Sequence, residues 1–213
     1  MIGQQMTATV TPDELAIRDE LAADDGCDAG RAMRADARRN NERLVAAARE
    51  VFTRCGGGAS MEAIAKQAGV GVGTLYRHFP KRIDIVEAVY QRDVDELVLA
   101  AEKAEANLEP WPALATFLEA FVRYAQSKRT FLNELHEAFD KNPQLKVASR
   151  ERINQAIDTV LTRAQQAGAA RGDIDGSDLM QILGPMCTSA TLTEAQGSRL
   201  LAMILDGLRP PSS

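Results

Sequence analysis

The chain has 213 residues, 45% of them hydrophobic and 26% charged, which suits a globular protein long enough to bury its own core. Its three widely spaced cysteines argue against a disulfide framework or a zinc site, and no apolar run approaches the ~20 residues that cross a bilayer. The net charge of −5 is uneven: residues 31–92 carry twelve bases and six acids, which favours a local surface for a polyanion, although chance asymmetry of solvated helix faces would give the same totals.

Residues 1–32 are predicted to be a poorly ordered acidic leader, because their one short helical pattern lacks a wide apolar stripe. No basic region precedes an apolar one, so this stretch does not resemble a secretion signal. The cysteine content suits a reducing compartment, and we therefore expect a cytoplasmic protein with no membrane contact. Met33 is an alternative start, because the recognisable pattern begins just after it.

The rest of the chain has the periodicity of amphipathic helices, and no strand-like alternation longer than a few residues. The predicted fold class is therefore all-α. Prolines, glycines and capping residues set the expected boundaries, with a loop at residues 167–178. Helices are expected at about 38–55, 61–67, 72–78, 81–107, 111–127, 129–140, 143–167, 179–191 and 193–208.

Residues 60–81 predict two short helices joined by a tight turn. Ser60 is a residue type that caps a helix, and Gly69 stands where the turn needs a positive φ. Two helices of about seven residues persist in water only if they pack on each other, and Ile64 and Leu75 supply that contact. This pattern is typical of a helix-turn-helix, whose second helix enters the major groove of DNA.

The start of the second helix consists of small residues, which let the backbone approach DNA closely. Arg77 adds polar reach, and it fits a solvated or phosphate-facing position better than a base-reading one. Arg38, Arg39 and Arg43 lie before or within the first helix, where an arm could contact phosphates or the minor groove.

The stretch RLVAAAREVFTRCGGGASMEAIAKQAGVGVGTLYRHFPKRIDIVEAVY (43–90) resembles the DNA-binding domain of the TetR family. The Ala-rich first helix, the Ile-Ala pair, Ala-Gly-Val, Gly-Thr-Leu-Tyr, His-Phe and the following Lys occur in the family's order and spacing. The family often has Ser at the position of Gly71 and Ser-Lys-Glu at the position of Pro80, Lys81 and Arg82. Gly71 is expected to weaken the cap of the second helix, and Arg82 is expected to add a phosphate contact.

The resemblance implies a surface for double-stranded DNA, with Leu75 and Phe79 in the core behind it. A packed ring is the alternative for Tyr76, and a capping or buried side chain is the alternative for His78. The residues implied to contact phosphates are Ser60, Thr74, Tyr76, His78 and Lys81, and those implied to lie nearest base edges are Gly71, Val72, Gly73 and Thr74. With the arginines above, the predicted DNA-binding set is Arg38, Arg39, Arg43, Ser60, Gly71, Val72, Gly73, Thr74, Tyr76, Arg77, His78 and Lys81.

The resemblance also implies a molecule of two parts behind the leader: a helix-turn-helix domain at residues 33–85, and a helical ligand-binding and dimerisation domain at residues 86–210. The closing RLLAMILDGLRPP (199–211) is similar to the last helix of SbtR-like regulators. The last two helices are apolar over broad faces, which predicts a twofold four-helix interface in a homodimer. Candidate pocket residues, each of which could instead simply fill the core, are Phe117, Phe121, Tyr124, Phe131, Leu135, Phe139, Met180, Met186, Cys187 and Met203.

The sequence therefore predicts a ligand-responsive repressor that binds a palindromic operator as a homodimer, with an unknown small-molecule effector, no cofactor and no metal. An enzyme on an all-α scaffold is one alternative, but the chain has only two histidines and lacks GxSxG, HExxH and P-loop motifs. The other alternative is a helical interaction protein whose helix-turn-helix is degenerate. The basic segment and the intact Gly-Thr-Leu-Tyr argue against it.

Overall fold

The computed structural model describes residues 35–189 and 191–210. The predicted leader at residues 1–32 and the alternative start at Met33 lie outside the described residues. Within the described ranges the chain is helical and has no strand, which confirms the all-α prediction. Contacts divide the chain into two units, Met1–Arg43 and Leu44–Ser213.

The helices follow one another closely along the described residues, and two short 3-10 turns lie between them. Residues 35–55 form α1, and the first 3-10 turn, Gly56–Gly58, follows it. The later elements are α2 (Met61–Ala68), α3 (Val72–His78), α4 (Arg82–Asn107), α5 (Pro110–Arg129), α6 (Leu132–Lys141), α7 (Pro143–Gln166), α8 (Gly176–Leu183), a 3-10 turn (Gly184–Cys187) and α9 (Glu194–Leu208).

The body of the protein is built around α4 and α5, which pack on each other and on α7. Each of these long helices has one apolar face, and aromatic side chains of α5 such as Phe117 and Phe121 are fully buried between the helices. Pro110 and Pro143 lie in the first turns of α5 and α7, where the missing N–H of proline leaves no helical hydrogen bond unmade. No described helix has the combined length and apolarity that a membrane span requires.

The prediction of one helix over residues 179–191 was wrong, because α8 ends at Leu183 and a 3-10 turn follows. Pro185 has no N–H for an α-helical bond, and its ring would clash with the preceding turn if the α-helix continued. The loop predicted over residues 167–178 is also shorter than expected. The Asp175 carboxylate accepts the N–H of Asp178 at 2.9 Å, so this capping box starts α8 at Gly176.

The boundary between α5 and α6 lies later than predicted. α5 continues to Arg129, whose guanidinium Nη1 donates to the carbonyl oxygen of Leu192 at 2.8 Å. α6 begins at Leu132, after Phe131 leaves helical geometry with φ −135° and ψ 33°. Arg129 thereby holds the segment before α9 against the end of α5.

Candidate DNA interface and ligand cavity

α2 and α3 are joined by a turn whose geometry is fixed by local hydrogen bonds. The Ser60 hydroxyl accepts the N–H of Ala63 at 3.1 Å, which confirms the predicted cap of α2. At the other end Gly69 has φ +66°, in the left-handed region that favours glycine. The N–H of Val70 donates to the carbonyl oxygen of Ala65 at 3.0 Å, closing the helix end in the manner of a Schellman motif.

α3 is held against the protein along one side only. Leu75 is completely buried and Phe79 nearly so, and both belong to the core that contains Ile64 of α2, as the sequence predicted. On the other side Val72 is 38% exposed and Tyr76 is 43% exposed. The exposure of the Tyr76 ring excludes the alternative that it is a packed core residue.

The exposed side of α3 and its flanks carries most of the predicted DNA-binding residues. Thr74 and His78 are half-buried at the border of this surface. Neither Arg77 nor Lys81 makes an ion pair with another described residue. We define the α3 edge as the exposed residues Ser60, Gly71, Val72, Gly73, Tyr76, Arg77 and Lys81.

Two glycines on the α3 edge are not required by packing within the protein. A β-carbon built at Gly71 or at Gly73 would meet no non-neighbouring atom within 4 Å. Gly71 precedes α3 in an extended conformation and offers no side chain as a cap, as the sequence predicted. The absence of side chains here leaves the α3 backbone bare toward solvent, which suits close approach to another molecule.

The end of the α3 edge is fixed by the start of α4. The backbone N–H of Lys81 donates to the Asp84 carboxylate at 2.8 Å, so the chain carrying the Lys81 ammonium is anchored. The sequence predicted that Arg82 would extend this surface, but its guanidinium contacts other parts of the protein. Its guanidinium donates to the carbonyl oxygen of Ala59 and, at 3.0 Å, to the Glu134 carboxylate, and it lies 5.3 Å from the centre of the Phe52 ring.

The remaining predicted arginines lie on α1, in the unit that ends at Arg43. Arg38 and Arg39 are exposed, and their guanidinium groups pair with Glu42 at 3.4 Å and with Asp36 respectively. Arg43 is exposed as well. Their part in DNA binding stays a prediction.

A cavity of about 260 Å³ lies among α4, α5, α6, α7, α8 and the 3-10 turn after α8. Four of the predicted pocket residues line it: Phe121, Tyr124, Phe139 and Met180. The other three aromatic or leucine candidates, Phe117, Phe131 and Leu135, are buried core residues that do not line it. The side chain of Cys187 lies outside the described part of the structure.

Met186 and Met203 line a different feature, a groove of about 440 Å³ between α8 and α9. The residues around this groove are mostly apolar, and several large side chains stand out from it. Ile182 is 56% exposed and Met203 is 69% exposed, and Leu200 beside them is also exposed. We call this surface the α8–α9 face.

Comparison with known proteins accounts for both parts of the chain. Residues 44–89 match the family described as bacterial regulatory proteins of the tetR family, and residues 109–210 match the C-terminal domain of SbtR-like transcriptional regulators. The TetR transcriptional regulator SCO0520 from Streptomyces coelicolor is 34% identical, with a TM-score of 0.71 over 81% of this chain and 99% of that chain. The chain belongs to the TetR family of transcriptional regulators.

Other relatives agree with this assignment. The TetR transcription regulatory protein from Mycobacterium vanbaalenii is 32% identical, with a TM-score of 0.66 over 83% of this chain and 99% of that chain. An HTH-type transcriptional regulator of Staphylococcus aureus is 45% identical over 64 residues, which is 30% of this chain and 35% of that protein. The chain therefore matches only about a third of the length of this curated relative.

Membership of the TetR family confirms the helix-turn-helix, the helical C-terminal domain and the DNA-binding regulator that the sequence predicted. TetR-family proteins are regulators and not enzymes, so the alternative of an enzyme on an all-α scaffold is wrong. The other alternative, an interaction protein with a degenerate helix-turn-helix, is also wrong, because the matched family consists of DNA-binding regulators.

The structure also contains a polar network that the sequence did not reveal, linking α1 of this TetR-family protein to α4 and α5. Asp93 is 2% exposed, and its carboxylate accepts the Ser127 hydroxyl at 2.6 Å. The Arg49 Nε lies 3.0 Å from Asp93 Oδ1, and Arg49 Nη1 donates to Glu96 at 2.5 Å. We call these four residues the Asp93 network.

Burial raises the pKa of the Asp93 carboxyl, and this effect outweighs the Ser127 hydrogen bond and the Arg49 charge, which both lower it. Burial also acts to raise the pKa of Glu96, but there the hydrogen bond and charge of Arg49 prevail and the pKa is lowered. Asp93 is therefore the member whose ionised form the fold tolerates least.

Proposed function

We propose that this TetR-family protein is a ligand-responsive repressor that binds a palindromic operator as a homodimer in the cytoplasm, where chromosomal DNA lies. The α3 edges of two subunits would enter successive major grooves, about 34–36 Å apart or a multiple of that distance. We assign DNA recognition to the residues up to about 85, and ligand binding and dimerisation to the helices after them.

The observation that carries the ligand response is the position of Tyr124. Its side chain lines the 260 Å³ cavity and also a smaller cavity bounded by Arg49, Asp93 and Glu96 of the Asp93 network. Through Arg49 this network holds α1, and Gln67 of α2 donates to the Glu50 carboxylate of α1 at 2.6 Å. A ligand beside Tyr124 would therefore press on helices that position the DNA-binding head. Coupling of about 1–3 kcal/mol would change operator affinity roughly 5–150-fold.

The α8–α9 face supports the homodimer. Its large exposed apolar side chains, with Ile182 and Met203 the most exposed, need cover that one subunit does not supply. Pairing this face with its own copy across a twofold axis would bury it in a four-helix interface.

Selection of bound DNA from a random pool, followed by a footprint, tests operator binding. The recovered sites should be inverted repeats with half-sites one or more helical turns apart. Tyr76→Ala should then weaken binding to all sequences alike, whereas Lys103→Ala on the exposed side of α4, away from the α3 edge, should not. Recovery of asymmetric single sites, or of no sequence at all, would contradict the proposal.

Sedimentation analysis tests the dimer. Met203→Asp should give monomers at micromolar concentration, because it places a charge in the proposed interface. Leu99→Asp, at an exposed leucine of α4 outside the α8–α9 face, is the matched control and should remain dimeric. Equal behaviour of the two variants would remove the α8–α9 face from the interface.

A further inference from the structure

The charged side chains that line the 260 Å³ cavity are all positive. Three cationic side chains line it, Lys128 from α5 and Lys146 and Arg150 from α7. No carboxylate is among its described lining residues. Lys146 and Arg150 lie on successive turns of one helix, so their positive groups stand side by side. An anionic group in this cavity would meet several donors, and no described lining residue would repel it.

Aromatic rings hold two of these ammonium groups at the cavity. The Lys128 Nζ lies 5.9 Å from the centres of both the Tyr90 and Phe139 rings, and the Lys146 Nζ lies 6.0 Å from the Phe139 ring. The two rings pack edge to face, with centres 5.2 Å apart. These cation–π contacts keep the two ammonium groups near the aromatic wall of the cavity, and an anion adds the stronger, charge-assisted kind of hydrogen bond.

Part of the remaining wall of the cavity is apolar. Phe121, Ile153 and Met180 line it beside the cationic residues, and methionine adapts readily to the shape of a ligand. Its volume of about 260 Å³ lies just below the range of roughly 300–1,000 Å³ that is usual for drug-sized ligands. The space therefore suits a small molecule with one polar end.

We propose that the effector is a small organic anion, with a carboxylate or phosphate on an apolar or aromatic body. The anion pairs with Lys128, Lys146 and Arg150, and the body lies against Phe121 and Met180. The role of this anion as an effector rests on the proposed function, whereas its binding is a property of the cavity itself.

The position of the cationic group gives such a ligand a route to the DNA-binding head. Lys128 follows Ser127, whose hydroxyl donates to Asp93 at 2.6 Å. Tyr90, whose ring lies beside the Lys128 ammonium, precedes Asp93 by one turn of α4. An anion that draws Lys128 toward α7 therefore pulls on the residues that hold the Asp93 network together.

Calorimetric titration of the full chain without DNA tests the ligand class. The first series of probes has three head groups on one phenylalkyl body: 4-phenylbutanoate, 4-phenylbutyl phosphate and 4-phenylbutan-1-ol. The second series has the same three head groups on alkyl chains of four to ten carbons. At least one anion should bind roughly tenfold or more tightly than its matched alcohol, since charge-assisted hydrogen bonds are the strong ones. The better of the two anions identifies the head group, and the preference should shrink as salt is added.

The double variant Lys146→Met, Arg150→Met should lose the preference for the anion while still binding the alcohol. Lys103→Met, which removes a positive charge from the exposed side of α4 away from the cavity, should keep it. If no anion in either series is preferred over its alcohol, or if the preference survives in the double variant, the ligand class is wrong.

Operator affinity measured with and without the preferred anion then separates the two proposals. Anion binding at the cavity without a change in operator affinity would leave the ligand class standing and overturn the ligand-responsive repressor. An operator response that needs the alcohol and not the anion would overturn the ligand class alone.

Discussion

The Gly73→Ala variant should make the protein more stable and a poorer DNA binder. Gly73 lies in the first turn of α3, and a β-carbon there meets no non-neighbouring atom within 4 Å, so alanine requires no repacking. Replacing glycine by alanine inside a helix stabilises it by about 0.5–1 kcal/mol. Because α3 has only seven residues and Gly73 lies near its beginning, we expect the lower value, about 0.5 kcal/mol.

The effect on DNA should have the opposite sign. If Gly73 lies against base edges, the added methyl group holds α3 away from the groove, at a cost comparable to a mismatched base pair, about 1–3 kcal/mol. Operator affinity should then fall by roughly 5–150-fold. Fluorescence anisotropy with the selected operator measures this loss, and thermal denaturation of the same preparation measures the gain in stability.

A matched glycine away from the α3 edge separates the two effects. Gly172 lies in the loop before α8, and a β-carbon there also meets nothing within 4 Å. Gly172→Ala should leave operator affinity unchanged. If Gly73→Ala binds the operator as well as the natural protein does, the α3 edge does not face the bases, and the reasoning that assigns its glycines to DNA approach fails.

Three further predictions concern Arg82, Gly69 and Asp93. Arg82→Met should lower the free energy of unfolding by about 1–3 kcal/mol, because it leaves the half-buried Glu134 carboxylate without its partner. It should not change how steeply DNA affinity falls with salt concentration, whereas Lys81→Met should flatten that dependence by about one unit. The reverse pattern would show that Arg82, and not Lys81, contacts a phosphate. Gly69→Ala should destabilise the protein by about 1–2 kcal/mol in thermal denaturation, since its φ is +66°, whereas Gly69→Asn should cost less, and equal losses would contradict the left-handed turn. The raised pKa of Asp93 means that its carboxyl binds a proton more tightly in the folded than in the unfolded chain. The free energy of unfolding of the natural protein, relative to that of Asp93→Asn, should therefore fall as pH rises above about 3.9. If this difference in free energy is constant or grows with pH, the pKa is not raised.

The sequence predicted those features whose causes lie within a few residues. The Ser60 cap, the left-handed Gly69 and the bounds of α3 each follow from the preference of one residue for one backbone conformation, and all were confirmed. The same logic failed at Pro185, where the pattern of apolar residues continued through a residue that cannot continue the helix.

Contacts between residues distant in sequence were not predictable in this way. Arg82 and Glu134 are 52 positions apart and Arg49 and Asp93 are 44 apart, and no local pattern pairs them. Periodicity placed Phe117 and Phe121 alike on the inner face of α5. Only the packing of neighbouring helices makes the first a core residue and the second a cavity wall.

The path from cavity to DNA is short because α4 begins almost directly after α3. Tyr90 at the cavity follows Arg82 at the start of α4 by eight residues, a distance of about 12 Å along a helix. Over that distance an intact helix moves as a rigid body, so a displacement at Tyr90 reaches Lys81 and the α3 edge with little loss. The buried Asp93 lies one turn beyond Tyr90, in a position where ionisation is unfavourable. The contacts of Asp93 with Arg49 and Ser127 offset the cost of its burial, so a ligand that moved these residues would change the free energy of the Asp93 network and, through Arg49, the position of α1.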